Sequence, residues 1–128
     1  MIYYNRKPVI EILFGDKDDL FVLKKNIVYN WRDKILVVPK GFQSDGCSVP
    51  RFLWSIISPN IDPTTLAGAI LHDYIYRNAY NLSWTRKEAD QAFYDIIRAD
   101  GLSWWKAQRA YWGVRIFGAS SWRKENEN

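Results

Sequence analysis

The segment Leu71–Asn78 reads LHDYIYRN and contains the single histidine of this 128-residue chain. His72 is followed directly by Asp73, and two tyrosines lie within one helical turn of them. Small and apolar residues at spacings of three and four around the histidine predict a helix over Pro63–Tyr80. Asp62 suits the N-cap of this helix, and proline is favoured at the first helical position. We therefore expect the histidine to lie on a helix face that packs against another element.

A second helix begins at an explicit sequence signal. The run Thr85–Glu88, TRKE, matches the capping box, in which the first and fourth side chains bond each other's backbone amides. The pattern predicts a helix to about Asp100, ended by Gly101. Asp90 is in line with the apolar residues of this helix, and the short connection Asn81–Ser83 predicts two antiparallel neighbours. This packing would bring Asp90 to the histidine.

The remaining elements complete a predicted α+β fold. A third helix is expected from Ser103 to about Phe117, ended by Gly118, with apolar residues on more than one side. Four short apolar or β-branched segments precede the helices, separated by turn residues as in a small antiparallel meander. These segments are Val9–Phe14, Leu20–Leu23, Ile27–Tyr29 and Ile35–Val38. We predict an N-terminal β-meander followed by three helices, the first two forming an antiparallel pair that carries a His-Asp site.

Length and composition favour one globular domain. The chain has 128 residues, of which 48% are hydrophobic and 25% charged, as is usual for a single folded domain. We assign residues 1–40 as β-rich, 41–60 as loop, 61–118 as helical and 119–128 as a flexible tail. Cys47 is the single cysteine, so no disulfide can form within the chain. The fold is therefore expected to rest on packing alone.

Charge and hydropathy argue against several classes of function. The net charge of +4 is spread over scattered basic residues, and no basic run is long enough for a nucleic-acid-binding arm. No run of about 20 apolar residues is present, so no transmembrane segment is predicted. The N-terminus lacks the apolar core of a signal peptide. We expect no nucleic-acid partner, no membrane span and no export by a standard signal.

The histidine can serve as a general base if a carboxylate orients it. Asp90, bonded to one ring nitrogen of His72, would fix the tautomer and leave the other nitrogen as the base. His72 and Asp73 point about 100° apart on a helix, so they serve different partners. Two simpler interpretations stay open. A lone histidine is more often a core residue bonded to a carbonyl, and Asp90 can be an acid that complements the helix dipole.

A second group of polar residues lies in the predicted loop Gly41–Arg51, GFQSDGCSVPR. Asp45 and Asp73 together would provide carboxylate oxygens, and the backbone around Gly46 would add carbonyl oxygens. Oxygen ligands suit Ca²⁺ or Mg²⁺, whereas one histidine and one cysteine are too few for a usual zinc site. Asp45 can equally be an ordinary turn residue. A nucleophilic Cys47, with the histidine as its base, is a weaker alternative.

The chain closely resembles a family of small proteins encoded by tailed phages and prophages. The resemblance extends from about Ile35 onward and rests on four motifs. These are the segments Gly41–Arg51, His72–Arg77, Ala89–Tyr94 and Val114–Gly118. The resemblance implies a phage origin and brings no established activity with it. The locations it implies are the phage virion or the host cell cytoplasm, and other phage structural proteins are among the expected partners.

The same motifs are similar, more weakly, to the phospholipase A₂ superfamily, above all to its short bacterial and fungal members and to the lipase domain of parvovirus capsids. The shared features are an Asp-x-Cys-Ser or Gly-rich loop, a helix with His-Asp-x-x-Tyr and a second helix with Asp-x-x-Phe. This likeness implies that His72 activates water with Asp90 as its partner. It also implies Ca²⁺ bound by Asp45, Asp73 and carbonyls near Gly46. The disulfides that usually clamp the helices of that superfamily are lacking in a chain with one cysteine.

These resemblances lead to hypotheses of different classes. The leading one is a phage-encoded, Ca²⁺-dependent lipid-ester hydrolase that acts on a membrane lipid surface. The alternative is a non-catalytic phage virion (tail) or assembly protein, in which the same motifs only hold the loop to the helices. A third, an inhibitor of a host defence, has no sequence feature in its support.

Overall fold

The computed structural model of the chain describes residues 2–5, 7–8, 10–13, 20–45, 63–79, 82–119 and 122. Within them, short strands precede three helices, so the predicted α+β class is confirmed. The strands are β1 (Ile2–Tyr4), β2 (Ile10–Leu13), β3 (Leu20–Leu23), β4 (Ile27–Trp31), β5 (Lys34–Val38) and β6 (Gln43–Asp45). The helices are α1 (Pro63–Asn78), α2 (Arg86–Ala99) and α3 (Trp104–Phe117). None of these helices combines the length and the apolar character needed to cross a membrane.

The strands form two antiparallel sheets, in the orders β1-β4-β5 and β2-β3-β6. Each sheet contains one hairpin of consecutive strands, β4-β5 in the first and β2-β3 in the second. In the β4-β5 hairpin Trp31 pairs with Lys34, and Arg32 in the turn has a φ of 55°. Such positive φ values are typical of two-residue hairpin turns, whose twist matches that of the strands. The strands predicted as one meander are therefore divided between two small sheets.

Two strands go beyond the sequence prediction. The N-terminal strand β1 pairs with β4, and β6 lies in the segment predicted as loop, where Gln43 pairs with Val22 and Asp45 with Leu20. Both are edge strands of three residues. Sequence pattern misses them because so short a strand depends on its neighbour in the sheet more than on its own β propensity.

The helix boundaries agree with the sequence signals. The Thr85 hydroxyl accepts a hydrogen bond from the Glu88 amide at 3.1 Å, and the Glu88 carboxylate accepts one from the Thr85 amide at 2.9 Å. The predicted capping box is therefore confirmed. Ser103 precedes α3 but makes no side-chain cap hydrogen bond. Asp62, the predicted N-cap of α1, and Tyr80, its predicted end, lie outside the described residues.

The helices α1 and α2 pack closely against each other, as predicted. Gly68 lies at their contact, where an added Cβ would be 2.8 Å from Ile97 Cγ2 and 3.2 Å from Phe93 Cδ1. Those distances leave no room for a methyl group, because protein interiors are close-packed. Glycine thus allows the backbones to approach, and one turn further along α1 His72 lies opposite Asp90.

The first sheet is joined to the helices by buried aromatic side chains. Tyr29 donates a hydrogen bond from its hydroxyl to the carbonyl of Ala67 at 2.8 Å. Trp31 donates from Nε1 to the carboxylate of Asp95 at 2.8 Å. The main apolar core combines residues of β3, β4 and β5 with residues of α1 and α2. The strands therefore support the helix pair that carries the candidate site.

Candidate functional site

The site is centred on the carboxylate of Asp90, whose side chain is 0% exposed. Its Oδ1 atom lies 2.7 Å from Nε2 of His72 and accepts a hydrogen bond from the Tyr76 hydroxyl at 2.6 Å. Its Oδ2 atom accepts a hydrogen bond from Nη1 of Arg115 at 2.8 Å, and Nη1 of Arg86 lies 3.6 Å away. The structure thus brings together His72 and Asp90, the two residues proposed from the sequence as a base and its partner.

Helical spacing accounts for much of this arrangement. His72 and Tyr76 are four residues apart on α1, so they lie on one face, and their ring centroids are 4.1 Å apart. Arg86 and Asp90 are also four residues apart, on α2. No role was predicted from the sequence for either arginine. The spacing of four residues to Asp90 is the signal that would have found Arg86. Arg115 comes from α3, and its motif, Val114–Gly118, does not indicate Asp90 as its partner.

Arg86 also fixes the position of α3. Its guanidinium donates to the carbonyl of Val114 at 3.1 Å and to the carbonyl of Arg115 at 3.0 Å. The Val114 carbonyl also accepts from the Gly118 amide at 2.9 Å. Carbonyls in the last turn of a helix carry partial negative charge, so a cation is favoured there. Arg86 therefore holds the end of α3 in a position from which Arg115 reaches Asp90.

Electrostatics keep Asp90 ionised and Tyr76 protonated. Burial of Asp90 disfavours the charged form, but the hydrogen bonds from His72, Tyr76 and Arg115 outweigh it. The pKa of Asp90 consequently lies below its ordinary value. Burial, followed by the charge of Asp90 and the hydrogen bond to it, raises the pKa of Tyr76 above its ordinary value. Tyr76 thus stays a hydrogen-bond donor to the carboxylate.

An ionised Asp90 sets the tautomer of His72. A carboxylate without a proton only accepts hydrogen bonds, so Nε2 must carry the hydrogen that faces it. The lone pair of a neutral ring is then on Nδ1. The rings of Tyr76 and Phe93, with centroids 4.1 Å and 5.1 Å from that of His72, pack around the imidazole. The His72 side chain is 14% exposed, so the ring is held in place by its neighbours and still contacts solvent. Such a ring can take a proton from water and return it.

Asp73 serves a different neighbour, as helix geometry predicts. Its carboxylate is buried and lies 3.3 Å from Nε of Arg77, one turn along α1. Arg77 also donates from Nη1 to the carbonyl of Gln43 at 3.1 Å. Asp73 is therefore on the side of α1 that approaches β6, the strand that ends at Asp45.

The predicted calcium ligands are described only in part. The side chain of Asp45, the whole of Gly46 and the alternative nucleophile Cys47 lie outside the described residues. Among the residues that the structure does describe, no three His, Cys, Asp or Glu side chains are grouped as a metal site. Asp73 is described, and the guanidinium of Arg77 lies against its carboxylate. A metal ion at Asp73 would have to share this carboxylate with Arg77 or displace the guanidinium.

Comparisons with known proteins give a family and a distant relative. Uncharacterized protein y4jT of Sinorhizobium fredii is 29% identical to this chain over 116 residues. That alignment covers 90% of this chain and 34% of the relative, so the chain spans about a third of the relative's length. No solved structure matches the chain. A family model described as a protein of unknown function, DUF1353, matches residues 21–114, which include His72 and Asp90. Because this match covers more than half of the chain, the protein belongs to the DUF1353 family.

Proposed function

We propose that the protein is a hydrolase in which His72, oriented by Asp90, activates water for attack on a lipid ester. The observation that carries this proposal is the 2.7 Å contact between Nε2 of His72 and Asp90, supported by the Tyr76 hydroxyl on the same carboxylate oxygen. The contact leaves Nδ1 as the basic nitrogen of the ring. The His-Asp-x-x-Tyr helix and the acid on a second helix are the features that resemble the phospholipase A₂ superfamily.

In the proposed reaction, Nδ1 of His72 takes a proton from water as the water oxygen attacks the ester carbonyl carbon. The negative charge of Asp90 stabilises the imidazolium that forms. The tetrahedral intermediate then collapses, and the bond between the carbonyl carbon and the alcohol oxygen breaks. The proton passes from Nδ1 to the departing alcohol. The products are a fatty acid and an alcohol, and His72 returns to its neutral form.

The proposal includes Ca²⁺ held by Asp73, Asp45 and a carbonyl near Gly46. When bound, the ion would polarise the ester carbonyl and stabilise the oxyanion. Binding of the ion there requires that the Arg77 guanidinium, 3.3 Å from the Asp73 carboxylate, share this carboxylate or move away from it.

Calcium binding can be tested apart from activity. Arg77→Gln removes the competing charge and should tighten Ca²⁺ binding, whereas Asp73→Asn should abolish it. Isothermal titration and the Ca²⁺-dependent rise in melting temperature measure both effects, because a ligand of the folded form alone stabilises it. Equal Ca²⁺ affinities for the wild type and both variants would contradict this site.

The biological setting of the proposal comes from the sequence resemblance to phage and prophage proteins. We place the hydrolysis at a membrane during infection or lysis, with the protein in the virion or in the host cytoplasm. Other phage structural proteins are the partners expected there. Detection of the protein in purified particles, by mass spectrometry of a phage that encodes it, tests the virion location.

The direct test of the hydrolase is release of fatty acid from phosphatidylglycerol vesicles in the presence of Ca²⁺. His72→Ala should lower the rate by about 10²–10⁴-fold, the usual contribution of a general base. Tyr74→Phe is the matched control on α1, because Tyr74 packs against Phe42 away from Asp90 and should retain activity. Thermal denaturation of each variant establishes that it is folded. No fatty acid from the wild type with Ca²⁺, Mg²⁺ or Mn²⁺ would overturn the hydrolase.

A non-catalytic role in a phage virion or its assembly is the second candidate. The observation in its favour is that Asp90 is paired with Arg115 as well as with His72, and also lies near Arg86. These contacts join three helices and stabilise the fold whether or not a proton moves. Under this alternative, His72→Ala changes stability alone, and no substrate is turned over by the wild type.

A further inference from the structure

The outward face of α3 carries large apolar side chains that the core does not use. Trp105, Trp112 and Ile116 are 54%, 56% and 66% exposed. They are seven and four residues apart, and Arg109 occupies the turn between the tryptophans, so the four residues form one line along the helix. We refer to Trp105, Arg109, Trp112 and Ile116 as the α3 stripe.

The buried face of α3 consists of much smaller residues. Ala107, Ala110, Gly113 and Val114 are buried, and all but the glycine belong to the apolar cluster that α3 shares with α2. The distribution is the reverse of an ordinary amphipathic helix, in which the bulky apolar side chains face the core. Large apolar side chains exposed along one line of a helix mark a site that another molecule or a membrane covers.

The charge of α3 indicates which surface fits the stripe. The helix contains Lys106, Arg109 and Arg115 and no acidic residue. The guanidinium of Arg109 lies 5.4 Å from the centroid of the Trp105 ring, so positive charge is part of the stripe itself. Tryptophan with neighbouring basic residues is the composition that favours the headgroup region of an anionic bilayer. A symmetric contact between two copies would instead bring like charges together.

We propose that the α3 stripe docks on the surface of an anionic phospholipid bilayer. In this arrangement α3 lies in the plane of the headgroups, with Trp105, Trp112 and Ile116 inserted and Arg109 against lipid phosphates. Arg115, the neighbour of Ile116, contacts Asp90 at 2.8 Å, so the stripe ends beside the candidate site. Docking therefore brings that site to the bilayer. The role of the site there rests on the proposed function, but the docking of the stripe does not.

The test measures vesicle binding in EDTA, so that cation-dependent hydrolysis is absent. Sedimentation with phosphatidylglycerol vesicles should capture the wild type, and phosphatidylcholine vesicles should capture much less. The triple variant Trp105→Gln/Trp112→Gln/Ile116→Gln should bind phosphatidylglycerol vesicles at least about tenfold more weakly than the wild type, because binding scales with inserted apolar area. Ile35→Gln/Val37→Gln is the matched control, since these β5 residues are also exposed but lie outside α3. Arg109→Gln should weaken binding and reduce its dependence on salt.

The outcomes separate docking from catalysis. Docking is overturned if the wild type does not bind phosphatidylglycerol vesicles, or if the β5 control loses as much binding as the stripe variant. It is also overturned if the only effect of the stripe variant, measured by light scattering, is to convert a dimer to a monomer. Hydrolysis is measured separately on a dispersed short-chain phospholipid with Ca²⁺. Retained hydrolysis without vesicle binding leaves the proposed function standing, and vesicle binding without hydrolysis leaves the docking surface standing.

Discussion

Asp90 has no exposure to solvent, yet it keeps its charge because donors surround both of its oxygens. His72 and Tyr76 contact one oxygen, and Arg115 contacts the other with Arg86 nearby. A buried carboxylate without such partners would take up a proton or strongly destabilise the fold. The same contacts that orient the histidine therefore also hold three helices together.

Replacing the charge at this position should reveal its structural role. Asp90→Asn leaves Arg115 and Arg86 without their anion, and we expect a loss of about 3 kcal/mol in the free energy of unfolding, at the low end for broken buried pairs because both arginines keep some solvent contact. Urea denaturation measures the loss. Asp95→Asn on the same helix is the control, because its neutral carbonyl can still accept from Trp31, and it should cost about 1 kcal/mol. Equal losses would contradict a special role for the Asp90 charge.

The stabilisation by Asp90 should depend on pH in a defined direction. Its pKa is lower in the folded state than the ordinary value of 3.8, so its charge stabilises the fold above that value and stops doing so as the pH falls through the folded-state pKa. The difference in unfolding free energy between the wild type and Asp90→Asn should therefore shrink as the pH falls below this ordinary value. Urea denaturation above and below this value tests the expectation. A difference that is unchanged well below the ordinary pKa would contradict it.

At the scale of single elements, the position of α3 is set by side chains of other elements. Arg86 of α2 binds the carbonyls of Val114 and Arg115, and the small Ala107 and Ala110 of α3 share an apolar cluster with Phe93 and Ile97 of α2. By contrast, α2 has its own N-terminal signal, because Thr85 and Glu88 bond each other's backbone amides. The two helices therefore depend on their first residues to different extents.

The two N-cap positions provide a matched comparison. Thr85→Ala removes a cap hydrogen bond and should lower the free energy of unfolding by about 1 kcal/mol. Ser103→Ala removes a hydroxyl that makes no cap hydrogen bond, and its effect should be much smaller. Both values come from urea denaturation under the same conditions. A loss for Ser103→Ala as large as that for Thr85→Ala would show that cap geometry does not decide the outcome.

At the scale of the whole molecule, the strands and the helix pair share one apolar core. Residues of β3, β4 and β5 pack with residues of α1 and α2, and Tyr29 and Trp31 of β4 donate hydrogen bonds to α1 and α2. Burial raises the pKa of Tyr29 above its ordinary value, so its hydroxyl stays protonated and continues to donate. The sheet and the helix pair are thus expected to depend on each other for stability.

Unfolding should accordingly occur in one transition. Tryptophan fluorescence and far-ultraviolet circular dichroism should give the same urea midpoint, as for a two-state domain. Tyr29→Phe removes the hydrogen bond from the Tyr29 hydroxyl to the carbonyl of Ala67 and should cost about 1 kcal/mol. It should shift both midpoints equally, because strand and helices unfold together. Separate midpoints, or a shift in one signal alone, would show that the sheets and the helix pair are independent units.

The sequence by itself determined that strands precede three helices, where α2 starts and that Asp90 approaches His72. Each of these depends on signals within one or two helical turns: a capping box, apolar spacing and a short connection between two helices. Such signals act through backbone hydrogen bonds and side-chain direction, which neighbouring residues set largely on their own.

Only the tertiary structure decided which side chains balance the charge of Asp90 and which strand β6 pairs with. Arg115 is 25 residues from Asp90 along the chain. The strand β6 pairs with β3, although β4 and β5 lie between them in the sequence. The short sequence of β6 and the arginine of α3 carry no mark of their partners. A buried charge and an edge strand are completed by whichever groups the packing of the core brings to them, so their contacts arise with the fold as a whole.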